Sequence, residues 1–348
     1  MRIGSIAVAT VLTVACGSTA SGTPDGSTTT NGDAGTTDGA TTDAPVYASG
    51  DIQPLYIAFT FHLEGANLVS TKDAFDAYSK NIKATADIFH RNGGIGTWEA
   101  AEILDKSISY NTNVLKELQD GGDAIGVHSN SAGYVPNDPN YSSAKMETEL
   151  KRLRDAMSSL GINARHVSNI CSTVDWVNAA RGSGYEAVTG VVDFCLKSLS
   201  NPPSDVASCT SPDKCHGAYP KTTEEQMTPW YGESGSNWTT PASSGLLILP
   251  TAGAVPCAAE EAGGAISPTQ CKYGDDDVTA VLAEMDVAVA ARKPGKAHTF
   301  VLVASFGQTP NATILENFLK QIKTKYIDTG KGKWVGIPAM IDAVKAMN

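Results

Sequence analysis

Three side chains in the first half of the chain have the types and the spacing to share one divalent cation. His62 and Glu64 stand in Phe61-His62-Leu63-Glu64-Gly65, at the end of an apolar run, and His128 closes Gly126-Val127-His128. In extended backbone, residues two apart face the same way, so His62 and Glu64 would share one side of their strand. Two imidazoles and a carboxylate form a ligand set for a divalent metal, zinc above all, with a position left open for water. On zinc that water has a pKa of about 7 and becomes a nucleophile for an amide or ester carbonyl. Each residue also has an ordinary explanation, since hydrogen bonds satisfy a strand-end histidine and solvent satisfies a loop carboxylate. Their shared placement favours a site: the chain has only six histidines, and two of them follow predicted strands.

That placement depends on the elements around them. Residues 55–61 are a continuous β-prone apolar run and read as a strand buried on both faces. Phe75, Tyr78, Ile82, Ala86 and Phe89 then recur at spacings of three and four. They predict an amphipathic helix over 71–90, capped by Thr71 and stopped at Asn92-Gly93-Gly94. Strands are expected at 95–98, 123–128, 164–169, 187–192, 246–249, 300–304 and 334–336. Helices are expected at 114–119, 143–160, 175–181, 278–291 (with Asp277 as its cap), 312–326 and 338–347. Strands alternating with helices imply a parallel sheet with helical crossovers. About seven such steps suit a closed barrel better than an open sheet, and barrel chemistry sits at the C-terminal ends of the strands.

Residues 198–245 interrupt the alternation with a long polar segment rich in Pro, Ser and Thr. Long insertions of this kind are often functional. Trp230, Tyr231 and Trp238 lie within it, and their ring faces could stack on sugars as a substrate-binding platform. The competing reading is that they pin the insertion to the barrel. The cysteines point to an oxidising compartment. Apart from Cys16, the chain holds Cys171, Cys195, Cys209, Cys215, Cys257 and Cys271, an even number that suggests disulfides without selecting their pairing. A zinc cluster using Cys215 and His216 is the rival, disfavoured because no CxxC pair is present.

The beginning of the chain reads as an address. Met1-Arg2, the apolar stretch 3–15 and Cys16 form a secretory signal over 1–16, and Leu12-Thr13-Val14-Ala15-Cys16 is similar to a bacterial lipoprotein signal. Residues 17–47 are Gly, Ser, Thr, Asp, Ala and Pro with little to bury, a disordered linker. Residues 48–348 form the domain. The expected location is the bacterial cell envelope, lipid-anchored at Cys16, the alternative being ordinary cleavage and a periplasmic or secreted protein. A net charge of −11 argues against nucleic acid as a partner and against polybasic attachment to lipid. No apolar run reaches the ~20 residues of a spanning helix, so the membrane is met only through that anchor.

Thr60-Phe61-His62-Leu63-Glu64-Gly65 resembles the Thr-Phe-Asp-Asp-Gly motif of the polysaccharide deacetylases, and Asp123-Ala124-Ile125-Gly126-Val127-His128-Ser129 resembles their second motif. The spacing between the two is similar, as is the closing Trp334-Val335-Gly336-Ile337-Pro338 step. The resemblance covers about residues 54–347 and matches at motif level only in the first half. It implies an α/β fold, a distorted (β/α)7-type barrel, here with a long Cys-containing loop insertion. It also implies a metal-dependent hydrolase that removes acetyl groups from a polysaccharide or cell-wall glycan.

The chain departs from that pattern at several positions. The family's general base falls on His62, its metal-binding aspartate at or next to Glu64, and its first ligand histidine on His128. The next ligand position is Ala132, which cannot hold a metal, and Ser305-Phe306-Gly307-Gln308 lacks the family's late histidine. His298 stands at the wrong end of that strand. Arg165-His166-Val167-Ser168-Asn169 loosely matches the third motif. A rebuilt site would use His62, Glu64 and His128 as ligands, because His62 cannot be both ligand and base. Asp175 or His166 would then supply the catalytic acid–base group. The alternative is an inactive carbohydrate-binding barrel, and a glycoside hydrolase would need a second carboxylate facing Glu64.

Overall fold

The apolar run that opens the domain forms strand β1 (Leu55–Leu63), buried along its whole length. The computed structural model describes residues 51–133, 138–211, 214–252, 275–306 and 312–347. Eight further strands follow: β2 (Gly96–Ala100), β3 (Ala124–His128), β4 (His166–Ser168), β5 (Ala187–Val188), β6 (Trp230–Gly232), β7 (Leu246–Ile248), β8 (His298–Ser305) and β9 (Gly332–Trp334). The helices are α1 (Lys72–Arg91), α2 (Glu102–Ser109), α3 (Val114–Asp120), α4 (Ser143–Ser159), α5 (Trp176–Gly182), α6 (Ser204–Ala207), α7 (Thr223–Gln226), α8 (Asp275–Ala291), α9 (Ala312–Ile322) and α10 (Ile337–Met347).

The strands run in the order β6-β7-β5-β4-β3-β2-β1-β8. All pairings are parallel except β6 with β7. The sheet curls until the chain just past β7 reaches β8. Thr251 bridges Val301 in parallel, and Ala252 N–H donates to the Val301 carbonyl at 2.8 Å. Seven parallel strands thereby close into a barrel. β9 takes the start of the β1 edge whose later half pairs with β2.

Alternation divides each strand between two environments. Ile57, Phe59, Phe61 and Leu63 face outward into a core that includes Phe75, Ile82 and Phe89 of α1. Phe61 stacks on Trp98 at 4.6 Å between centroids and meets Phe89 edge-on at 5.6 Å. Tyr56 and Ala58 face inward with Leu247, Leu249, Val301 and Val303, and Ile337, Met340, Ile341 and Val344 of α10 pack against them. The last helix is therefore a plug at the N-terminal end of the barrel. Arg165 fastens it from outside, pairing with Glu186 and with Asp342 of α10, while Lys345 returns to Glu186.

Thr71 caps α1 as expected, accepting from Ala74 N–H at 3.2 Å. Three expectations are corrected. α2 was not foreseen, because its eight residues follow β2 with no turn signal between them. Asp277 is not a cap, since α8 already begins at Asp275. The polar insertion, for which no element was expected, holds α6, α7 and the antiparallel β6. Disulfides join Cys171 to Cys195 and Cys209 to Cys215, so Cys215 is not available to a zinc cluster with His216. Cys257, Cys271, Cys16, the signal segment 1–16 and the linker 17–47 lie outside the described residues. Among the described residues, no helix is long and apolar enough to cross a membrane.

Candidate metal centre

Toward the C-terminal ends of the strands the inward-facing positions change from aliphatic to polar. His62, Glu99, His128, His166, Ser168 and Thr189 are all buried there. Strand register brings them together. His62 lies opposite Glu99, Glu99 opposite Gly126, and His128 opposite Ser168. One donor atom each from His62, Glu99 and His128 falls within 4.8 Å of the other two. The Nε2 of His62 is 3.0 Å from Oε2 of Glu99, and the rings of His62 and His128 are 4.1 Å apart. Two imidazole nitrogens and a carboxylate oxygen at this separation could together hold a metal ion.

Glu99 was missed in the sequence because the second strand was ended at Trp98. Two more residues of strand carry the carboxylate inward. The available signal was the alternation Thr97-Trp98-Glu99-Ala100, with polar residues on one face. Its neighbour is held from outside, where Asp123 Oδ2 accepts the Trp98 indole N–H at 2.9 Å. Oε1 of Glu99 accepts from Thr189 Oγ1 at 2.7 Å and lies 3.3 Å from His166 Nε2. Burial would raise the pKa of this carboxyl group, but the imidazoles of His166 and His62 beside it outweigh that effect. The net direction is well below the ordinary carboxylate range, so the group is an anion at neutral pH.

His128 is oriented by its neighbours. Ser168 Oγ lies 2.9 Å from Nδ1 and Asn169 Nδ2 lies 3.1 Å from Nε2. A cation held at Nε2 would take the place of the Asn169 amide, with the ring proton on Nδ1 and Ser168 accepting it. Glu64 comes just after β1, partly exposed, with Oε2 3.4 Å from His128 Nε2. It therefore borders the cluster on its solvent side, while Glu99 is the carboxylate that falls within reach of both histidines. Gly65, next along, adopts φ 116° and donates its N–H to Glu102 at 3.2 Å, while Asn130 donates to the same carboxylate at 3.0 Å. The loops after β1 and β3 are thus tied together through the first turn of α2. Burial, then the charges of Glu64 and Glu102, raises the pKa of Tyr78 and keeps its phenol protonated.

The remaining expected residues fall in different places. His166 is fully buried inside the barrel and reaches the cluster only through Glu99. Asp175 serves structure: its Oδ1 caps α5 through Asn178 N–H at 3.0 Å and accepts Gly235 N–H at 2.6 Å. A carboxylate committed to a helix end and a loop is not placed as the acid–base group. Trp238 is also corrected. It is fully buried among Trp176, Tyr219 and Trp230, so no sugar reaches its face. Trp230 and Tyr231 are half-buried, and the Trp230 indole donates to the Trp238 carbonyl at 2.5 Å. His298 starts β8, at the opposite end of the barrel, and accepts Lys293 N–H at 2.9 Å.

No family model matches the sequence, and no curated protein matches it. Among solved structures, a Mycobacterium smegmatis protein ascribed to the polysaccharide deacetylases superposes with a TM-score of 0.51 at 15% identity, covering 87% of this chain and 94% of that one. The 4-alpha-glucanotransferase of Thermococcus litoralis superposes with a TM-score of 0.50 at 13% identity, covering 83% of this chain and 38% of the larger enzyme. The chain has a distorted α/β barrel similar to the fold of these two proteins. At these identities the likeness defines the fold, and the chemistry rests on the side chains of this site.

Proposed function

We propose that the protein is a metal-assisted hydrolase that removes acetyl groups from a polysaccharide, with His62, Glu99 and His128 as the ligands of the cation. The observation that carries this reading is the convergence of those three donors at the end of the barrel where this architecture builds its sites. A bound divalent cation, zinc by preference, would supply Lewis acidity toward the acyl oxygen and lower the pKa of water. Glu64, outside the ligand set and partly open to solvent, is the group placed to take a proton from the attacking water. Attack at the acyl carbon breaks the bond to the sugar nitrogen or oxygen, acetate leaves, and the proton held on Glu64 passes to the departing group. Glu64 thereby takes the role first assigned to Asp175 or His166.

The address belongs to the same proposal. A lipoprotein-type signal over 1–16, an anchor at Cys16 and a spacer over 17–47 would hold the barrel off a membrane within reach of envelope glycans. The two disulfides agree with export.

Purified protein should retain near-stoichiometric divalent metal after mild dialysis and release acetate from N- or O-acetylated glycans. His128→Ala should lose the metal and keep the fold by circular dichroism. A metal-free parent that still binds glycan would mark an inactive carbohydrate-binding barrel. Retention of metal by His128→Ala at the parent level would overturn the ligand set.

A further inference from the structure

We infer that His166 is a positioning residue for the metal centre, acting through Glu99, and that Gly126 is the residue that admits it. The inference rests on the ligand set proposed above and adds a layer beneath it.

The two oxygens of Glu99 do different work. Oε1, on the inner side, faces both Thr189 Oγ1 at 2.7 Å and His166 Nε2 at 3.3 Å. Oε2 faces His62 at 3.0 Å. With one oxygen accepting from Thr189 and the His166 ring packed 3.3 Å from it, the rotation of the carboxylate is restricted and the other oxygen is presented to the cluster. Groups in this position orient ligands and exclude unproductive geometries. Thr189 and His166 come from the chain after β5 and from β4, whereas Glu99 comes from β2. The carboxylate is thus held across the barrel interior, not by its own strand.

The imidazole must cross β3 to do this, and β3 carries no side chain where it crosses. Gly126 is the partner of Glu99 in the β2–β3 register. A Cβ built on Gly126 would lie 2.5 Å from Cε1 of His166, 2.8 Å from Cδ2, and closer still to Nε2. The contact is with a ring packed at full burial, which has no room to swing aside. Glycine is required at this position by the ring above it. No unusual backbone angle enters the argument.

The test is zinc affinity by chelator competition, together with the visible spectrum of the cobalt-substituted protein. His166→Ala should weaken zinc binding by about 10–100-fold and perturb the cobalt bands. Gly126→Ala, which leaves His166 in the sequence but displaces its ring, should do the same. His166→Gln, whose amide can still donate to Oε1, should recover part of the affinity. Should His166→Ala fail to fold, Gly126→Ala and His166→Gln decide the matter. Parent-like zinc affinity and spectrum in folded His166→Ala or Gly126→Ala would overturn the inference and leave the ligand set standing. A parent that binds no metal would overturn both.

Discussion

Asn169 directs its side-chain amide at Nε2 of His128, 3.1 Å away, from a backbone held at φ 53°. This left-handed conformation is unfavourable for residues with a Cβ, and asparagine tolerates it better than most. Asn130 and Ala132, in the loop that follows His128, are also left-handed, at φ 46° and 45°. Ser129 links the two loops by donating its hydroxyl to the Asn169 carbonyl at 2.5 Å. Uncommon backbone angles gather beside the candidate centre, as they do where a fold is constrained by a site.

The cost of that conformation is measurable by substitution. Asn169→Ala loses the amide and keeps a Cβ at positive φ, so it should destabilise the protein by about 1–2 kcal/mol. Asn169→Gly loses the same amide but adopts the angle freely, and should cost less. Urea denaturation of the two variants in parallel gives the comparison. Equal losses would show that the backbone angle carries no strain.

Trp238 should behave as core. It is fully buried, and its ring meets Trp176 at 5.2 Å and Tyr219 at 5.1 Å between centroids. Trp238→Ala should cost about 3–5 kcal/mol, visible as a large drop in denaturation midpoint. Trp238→Phe, which keeps most of the volume, should cost less. A Trp238→Ala protein as stable as the parent would return this residue to the sugar-binding candidates.

The fastening of the barrel plug carries a pH signature. Hydrogen bonding to Arg165 is the largest influence on Glu186. Burial opposes it, Lys345 adds to it, and together they lower the carboxyl pKa from 4.5 to about 2. A depressed carboxylate contributes stability that is present above the unfolded pKa and is lost as pH falls toward the folded value. Because the Glu186 side chain is about one third exposed (32%) and solvent screens the pair, the contribution is about 1 kcal/mol. Glu186→Gln should therefore be less stable than the parent at pH 7, and the difference should fade between pH 4.5 and about 2. High salt should also shrink it. A gap between the two proteins that persists at the acid end would refute this account.

The two disulfides should differ in access and in weight. Cys171 and Cys195 are buried and span 24 residues, whereas Cys209 and Cys215 are half-buried and span 6. On chain entropy alone, loss of the longer loop costs about 3 kcal/mol and of the shorter about 2 kcal/mol. Mild reductant followed by thiol alkylation and mass spectrometry should label Cys209 and Cys215 first. Cys171 and Cys195 should be labelled only as the protein unfolds, and earlier labelling of that pair would contradict the burial.

Much of this protein is local and therefore legible in its sequence. The alternation of apolar strands with amphipathic helices specified an α/β barrel. Leu55 to Phe61, the stripe from Phe75 to Phe89 and the cap at Thr71 each report a preference that a few neighbouring residues decide. His62 and His128 were recognisable because each stands at the C-terminal end of its own strand. The partner of those histidines was not recognisable in the same way. Glu99 lies 37 residues after His62 and 29 before His128 in the chain, and it meets them only because parallel register sets β1, β2 and β3 side by side. Glu64 satisfied every local rule for a ligand, yet it falls beyond the end of β1. The same holds for Gly126, whose missing side chain has meaning only once His166 of another strand lies across it. Which residues lie on one face of a strand is decided within a few residues. Which strands then share an interior depends on pairing and closure over the whole chain, and that is where the candidate cluster was assembled.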